Sequence, residues 1–190
     1  EIKNGVARHP LWRMEEPINL EIKRGEQVAV VGDNAAGKSR LIEVLTGHYP
    51  LLLNEVHYDF SPSRLRLASE NMKYITFRDS YGEQDGAYYY QQRWNQHDIA
   101  DDMPTAGALL QDFYAKADAT IGHSLSAEER EQEQMRRNAL REKLAEIFHL
   151  TALSSKLIIS LSSGELRKFQ LVKALMNRPS VLILDNPYIG

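Results

Sequence analysis

Residues 18–22, Ile18-Asn19-Leu20-Glu21-Ile22, alternate apolar and polar side chains, and a period of two predicts a half-exposed strand. Lys23-Arg24-Gly25-Glu26 then predicts a turn. Residues 27–31 form an apolar, β-branched run, which predicts a buried strand. From Ser39 onward the period changes: Leu41, Ile42, Val44 and Leu45 recur at helical spacings. The predicted order is therefore strand, glycine-containing loop, helix, with the loop at a helix N-terminus.

Further along, residues 55–60 and 73–77 predict strands, and 80–96, rich in Gly, Tyr and Gln, predicts a loop. Residues 104–119 predict a helix with Leu109, Leu110 and Phe113 on one face. A longer helix is predicted over 127–149, with Leu140, Leu144, Ile147 and Phe148 as its apolar stripe. Between Glu128 and Glu146 this helix carries six Glu against five Lys and Arg, a balance that predicts a solvated face laced with ion pairs rather than a nucleic-acid clamp. A turn at 161–165 opens a helix to Met176, which Arg178-Pro179 ends. Val181-Leu182-Ile183-Leu184 predicts a second buried strand.

Composition narrows the function classes. At 190 residues the chain can bury a real core, and its 43% hydrophobic and 26% charged content is globular rather than disordered or fibrous. A net charge of -3 and a pI near 6.1 give no global attraction for duplex DNA or an anionic membrane. There are no cysteines, which excludes disulfides, thiolate metal sites and a cysteine nucleophile. No apolar run approaches the roughly 18 residues that a membrane-spanning helix needs. The first residues, Glu1-Ile2-Lys3, and the stop at Gly190 just past an apolar run suggest a segment of a longer protein.

Three stretches carry chemistry. Gly32-Asp33-Asn34-Ala35-Ala36-Gly37-Lys38-Ser39 fits the phosphate-loop pattern G-x-x-x-x-G-K-[ST] without a mismatch. Gly32 and Gly37 let backbone N–H groups approach phosphate oxygens, and the following helix aims its positive end at the same place. Lys38 supplies a compact charge for terminal phosphates, the Ser39 hydroxyl is a hard donor for Mg²⁺, and Arg40 follows as a further contact. Asp185 stands at the C-terminal end of the 181–184 strand, where α/β sheets bind ligands. Asn186 comes next, where a glutamate would serve as general base; an amide can hydrogen-bond a water but is a poor proton acceptor. Leu161-Ser162-Ser163-Gly164-Glu165 has capping-box spacing between Ser162 and Glu165 and opens a helix N-terminus.

Taken together, these motifs resemble the ATP-binding cassette (ABC) family from about Ile18 to Pro187. Residues 32–39 match its Walker A loop and 181–185 its Walker B strand. Residues 161–165 resemble its L-S-G-G-Q signature, with Ser163 replacing a glycine and Glu165 replacing the glutamine. The signature looks most like the molybdate-transport-type ATP-binding proteins, often tandem cassettes.

The resemblance implies a P-loop NTPase core, a mixed sheet with helices on both faces, plus a helical subdomain, with the C-terminal part of the domain lying beyond this chain. It divides the chain into 1–97 (core with Walker A), 98–153 (helical subdomain) and 154–190 (signature helix and Walker B strand). It implies ATP and Mg²⁺ as cofactors. Lys38, Asp185 and Asn186 are the catalytic candidates. Ser39, Asp185 and Gln91 are candidates toward Mg²⁺, and Gln91 or Gln92 is the glutamine-loop residue. Adenine stacks upstream of Walker A, at His9 by spacing or Trp12 by chemistry. Ser162, Ser163, Gly164 and Glu165 contact the nucleotide of an opposing cassette, in the same chain or a dimer.

The implied function is the ATPase subunit of a transport system, partnered with a membrane permease, cytoplasmic and peripheral at the inner face of a membrane. Asn186 implies weak hydrolysis. The alternatives are a soluble cassette acting on nucleic acid or ribosomes, and a non-hydrolysing regulatory module.

Overall fold

A computed structural model describes residues 1–53, 55–63, 65–76, 103–119 and 126–187. The chain forms two compact units, Glu1–Met72 and Lys73–Gly190.

In the first unit, β1 (Ile2–Gly5) pairs antiparallel with β2 (Ile18–Leu20), with Ile2 opposite Leu20 and Gly5 opposite Ile18 and an irregularity between the two pairs. Gly5 is required by packing, because a Cβ there would lie 2.6 Å from Ile2 Cγ2. The other side of β1 is met by residues 50–57. Ile2 bridges Val56, Lys3 N–H donates to Glu55 O, and Leu52 N–H donates to Val6 O. α1 (Lys38–Leu45) buries Val44, and buried Asn71 in α2 (Ala68–Asn71) is satisfied by donating to Leu65 O and Leu67 O, each at 3.0 Å.

Two sequence expectations change here. Residues 27–31 are not a buried strand: Val28 is 51% and Val31 88% exposed, and no ladder includes them among the described residues. β-branched side chains favour a strand only when a neighbour completes the hydrogen bonds and covers the faces. Likewise 55–60 contributes only the single bridge at Val56. The turn at 23–26 does form, with Glu26 N–H donating to Lys23 O and the Glu26 carboxylate accepting from Lys23 N–H.

The second unit is mainly helical. β3 (Met72–Thr76) pairs with β4 (Val181–Asp185). Between them in sequence lie α3 (Ala106–Ala119), α4 (Ala127–Phe148), α5 (Leu150–Ser154), a 3₁₀ turn at Ile158–Ser160 and α6 (Ser163–Met176). Leu110, Leu144, Leu153, Leu166, Phe169 and Val172 belong to one buried cluster that holds these helices together. Each such side chain contributes roughly 1.5–3 kcal/mol by leaving water. Gly107 lets α3 approach α5, since a Cβ would lie 2.7 Å from Ser154 O.

Local signals fix the helix ends. Ser126 Oγ accepts from Glu129 N–H, and the Glu129 carboxylate accepts from Ser126 N–H, a capping box at the start of α4. α4 is mostly exposed, as expected of a solvated face, but its ion pairs sit on the more covered side: Arg137 lies 3.2 Å from Glu133, and Arg141 reaches Asp118 of α3. Burial pushes the Asp118 carboxyl up, but hydrogen bonds from Arg141 and Gln134 outweigh it and hold the group below its ordinary value. The apolar stripe needs one correction. Leu144 is buried and Leu140 and Phe148 pack on the cluster, but Ile147 is 55% exposed, because the stripe is narrower than the run of apolar residues. β4 is half-buried rather than fully buried, with Leu184 39% exposed. Among the described residues, no helix is long and apolar enough to cross a membrane.

Candidate functional site

The loop at 32–39 is held by its own backbone and by Lys38. Ala36 N–H donates to Asp33 O, and the Lys38 ammonium donates to Gly32 O at 2.7 Å and to Asp33 O at 2.8 Å. An ammonium has three donors, so one remains after these two bonds. Ala35 (φ 68) and Gly37 (φ 87) are left-handed, and alternation of left- and right-handed residues turns successive amides toward one concavity. A side chain at Gly37 would be strained by its φ and would meet Met14 Cε at 3.1 Å.

Gly37 is also the N-cap of α1, and no side chain caps that end. The first-turn amides, including those of Lys38, Ser39 and Arg40, therefore have no intrahelical partner and no capping oxygen. Gly32, Asp33, Asn34, Ala35 and Ala36 are exposed, as are Ser39 and Arg40. This donor set fits a polyphosphate: a concave loop, an uncapped helix start and one cation.

Beside the loop lies a cleft of about 220 Å³ lined by Trp12, Met14, Ile18, Arg40, Val44 and Tyr49. Trp12 ends a 3₁₀ turn at Pro10–Trp12, whose first amides are capped by His9 Nδ1 accepting from Leu11 N–H. The Trp12 ring stacks on Tyr49 at 4.6 Å and 7°, and the Arg40 guanidinium lies 5.3 Å from its centroid. His9 is thus used as a cap, while Trp12 lines the cleft. Sequence reading missed Tyr49, whose only signal is an aromatic ring just past α1.

In the second unit, Asp185 ends β4 and its Oδ2 accepts from the Tyr74 hydroxyl at 2.9 Å. Asn186 follows in the left-handed region (φ 50), a conformation that asparagine tolerates better than most side chains. The helix start at 161–165 is a complete capping box. Ser162 Oγ accepts from Glu165 N–H, and Glu165 Oε2 accepts from Ser162 N–H at 2.9 Å. Leu161 is fully buried and anchors the turn, Ser163 opens α6, and a Cβ on Gly164 would meet nothing within 4 Å.

Glu165 has a partner the sequence did not signal. Lys156 Nζ donates to Glu165 Oε1 at 2.6 Å, and this bond, with the Ser162 amide, holds the carboxyl at about 2, well below the ordinary 4.5. Lys156 is itself placed by Ala106 N–H donating to its carbonyl. Gln91 and Gln92 lie outside the described residues. Among those described, no three His, Asp or Glu side chains gather as a metal site.

Comparison with known proteins bears on the whole assembly of motifs. The ABC transporter family profile matches residues 16–189. The ABC transporter ATP-binding protein ModF of Escherichia coli K12 is 30% identical over 175 residues, covering 90% of this chain and 29% of that protein. An uncharacterised ABC transporter ATP-binding protein of Schizosaccharomyces pombe is 25% identical over 97% of this chain and 34% of its own length. The lipopolysaccharide export system ATP-binding protein LptB of Escherichia coli K12 is 29% identical over 99% of this chain and 67% of its own length. The chain thus spans about a third of the first two relatives. The solved structure of CbiO1 from Clostridium perfringens, part of the ABC transporter complex CbiONQ, superposes with a TM-score of 0.60 at 20% identity, covering 100% of this chain and 65% of that one. That likeness shows the fold alone, an α/β arrangement shared with that structure.

Proposed function

This chain belongs to the ABC transporter family, and from that membership we propose that it binds Mg-ATP through residues 32–39 as the nucleotide-binding domain of a transport ATPase. The observation that supports this most is the loop itself: left-handed Ala35 and Gly37, an uncapped α1, and Lys38 folded over the concavity. Backbone N–H groups and the ammonium orient the polyphosphate, and Ser39 offers a hydroxyl toward the metal. Bound Mg²⁺ would neutralise phosphate charge. Trp12 and Tyr49 give the cleft an aromatic lining for the base; Tyr49 already covers one face of Trp12 and Arg40 lies over the ring, so stacking of the base on Trp12 requires Arg40 to swing away.

The second unit is assigned the groups that act on or meet a nucleotide later. Asp185 faces the cation's water shell. Asn186 orients a water without removing its proton, so hydrolysis is slow. The capped start of α6, with Ser162, Ser163, Gly164 and Glu165, meets the nucleotide of a second cassette. A membrane permease is the proposed further partner, which places the domain at the inner face of a membrane. CbiO1 belongs to a transporter complex and LptB to an export system, and both support this reading.

The loop assignment is tested by ATP affinity. Lys38→Ala should weaken binding on the order of 10- to 100-fold, the range for hydrogen bonds to a charged group. Unchanged affinity would overturn it.

A further inference from the structure

We propose that Tyr74 is a positioning residue for the divalent cation of the nucleotide site, acting through Asp185. The proposal rests on the reading of Asp185 as the carboxylate that faces that cation.

The geometry is direct. β3 and β4 are neighbours in one sheet, and across them the Tyr74 hydroxyl donates to Asp185 Oδ2 at 2.9 Å. A carboxylate has two oxygens and about four acceptor positions. One donor on Oδ2 fixes the carboxyl rotation, and Oδ1 keeps no protein partner among the described residues. The chain turns away at once after Asp185, through the left-handed Asn186, so the carboxylate stands at the strand's end.

The chemistry of the donor matters as much as its place. A Lys or Arg at this position would form an ion pair and compete with any cation for the carboxylate charge. A phenol O–H holds the carboxylate without cancelling that charge. Tyr74 is 40% exposed, so the bond is made at the surface and not inside a core. This is the arrangement of an outer residue that orients a group facing hard cations such as Mg²⁺.

The test is equilibrium binding of ATP to the full chain as a function of Mg²⁺, with Mn²⁺ paramagnetic resonance as a direct probe of cation occupancy. Wild type should bind ATP more tightly as Mg²⁺ rises. Tyr74→Phe, which removes one oxygen, should need roughly tenfold more Mg²⁺ for the same gain, at the lower end of what outer residues contribute to metal affinity. Its ATP affinity in EDTA should be unchanged. Asp185→Asn should remove most of the Mg²⁺ dependence, and adding Tyr74→Phe to it should change nothing further. A wild-type Mg²⁺ midpoint in Tyr74→Phe, or an additive effect on the Asp185→Asn background, overturns the role of Tyr74 alone. A wild type that binds ATP without Mg²⁺ dependence overturns the Asp185 assignment and this proposal with it.

Discussion

The two units divide stability and chemistry differently. In Glu1–Met72 the buried side chains are few among the described residues, Ile2, Ala7, Val44 and Asn71, and the candidate loop is exposed and shaped by backbone torsions and one lysine. In Lys73–Gly190 a contiguous apolar cluster fixes α3, α4 and α6, and the candidate groups are side chains placed by that packing. A loop that must receive a phosphate needs open amides, so it cannot bury them. A helix start that must present a fixed surface can lean on a core immediately behind it, as Ser162 does on Leu161 and Leu166.

The largest expected break in this contrast is in the core. Phe169→Ala should cost about 3–5 kcal/mol of stability, as truncation of a buried aromatic does. Denaturant unfolding would measure it. A cost below about 1 kcal/mol would mean that the cluster does not hold α6.

Next comes the chemistry of the second unit. If slow proton removal limits turnover, Asn186→Glu in the full-length protein should raise the ATPase rate by at least about tenfold, with the roughly 10²–10⁴ of a well-placed general base as the upper range. The gain is offset by a cost of about 1 kcal/mol or more for a glutamate at φ 50. ATP affinity should stay the same, since the loop at 32–39 is untouched. An unchanged rate would count against Asn186 as the limiting residue.

The smallest effect is electrostatic. The folded carboxyl of Glu165 is held at about 2, below its unfolded value of 4.5. Its contribution is therefore fully present above pH 4.5 and is lost as pH falls through about 2. Thermal melts of wild type and Glu165→Gln should differ most above pH 4.5 and converge toward pH 2. A constant difference would show that the Lys156 and Ser162 bonds do not set this value.

What the sequence made legible was local. The capping box at Ser162, the phosphate-loop pattern and the apolar faces of α3 and α4 all depend on residues within a few positions of one another. What it hid was distant or conditional. Tyr74 and Asp185 are 111 residues apart, and Lys156 reaches Glu165 from a segment whose neighbour Leu157 bridges Thr105, just before α3. Residues 27–31 have strand composition, yet a strand needs a partner that composition cannot supply. The aromatic candidate Trp12 was legible as a ring, but its stack on Tyr49 was not.

The most direct measurement follows the amide signals of Gly37, Lys38 and Ser39 by nuclear magnetic resonance during titration with Mg-ATP. These three should shift strongly and saturate together with the binding isotherm, because their N–H groups close on the phosphates. ATP that binds while those amides stay where they were would contradict the account.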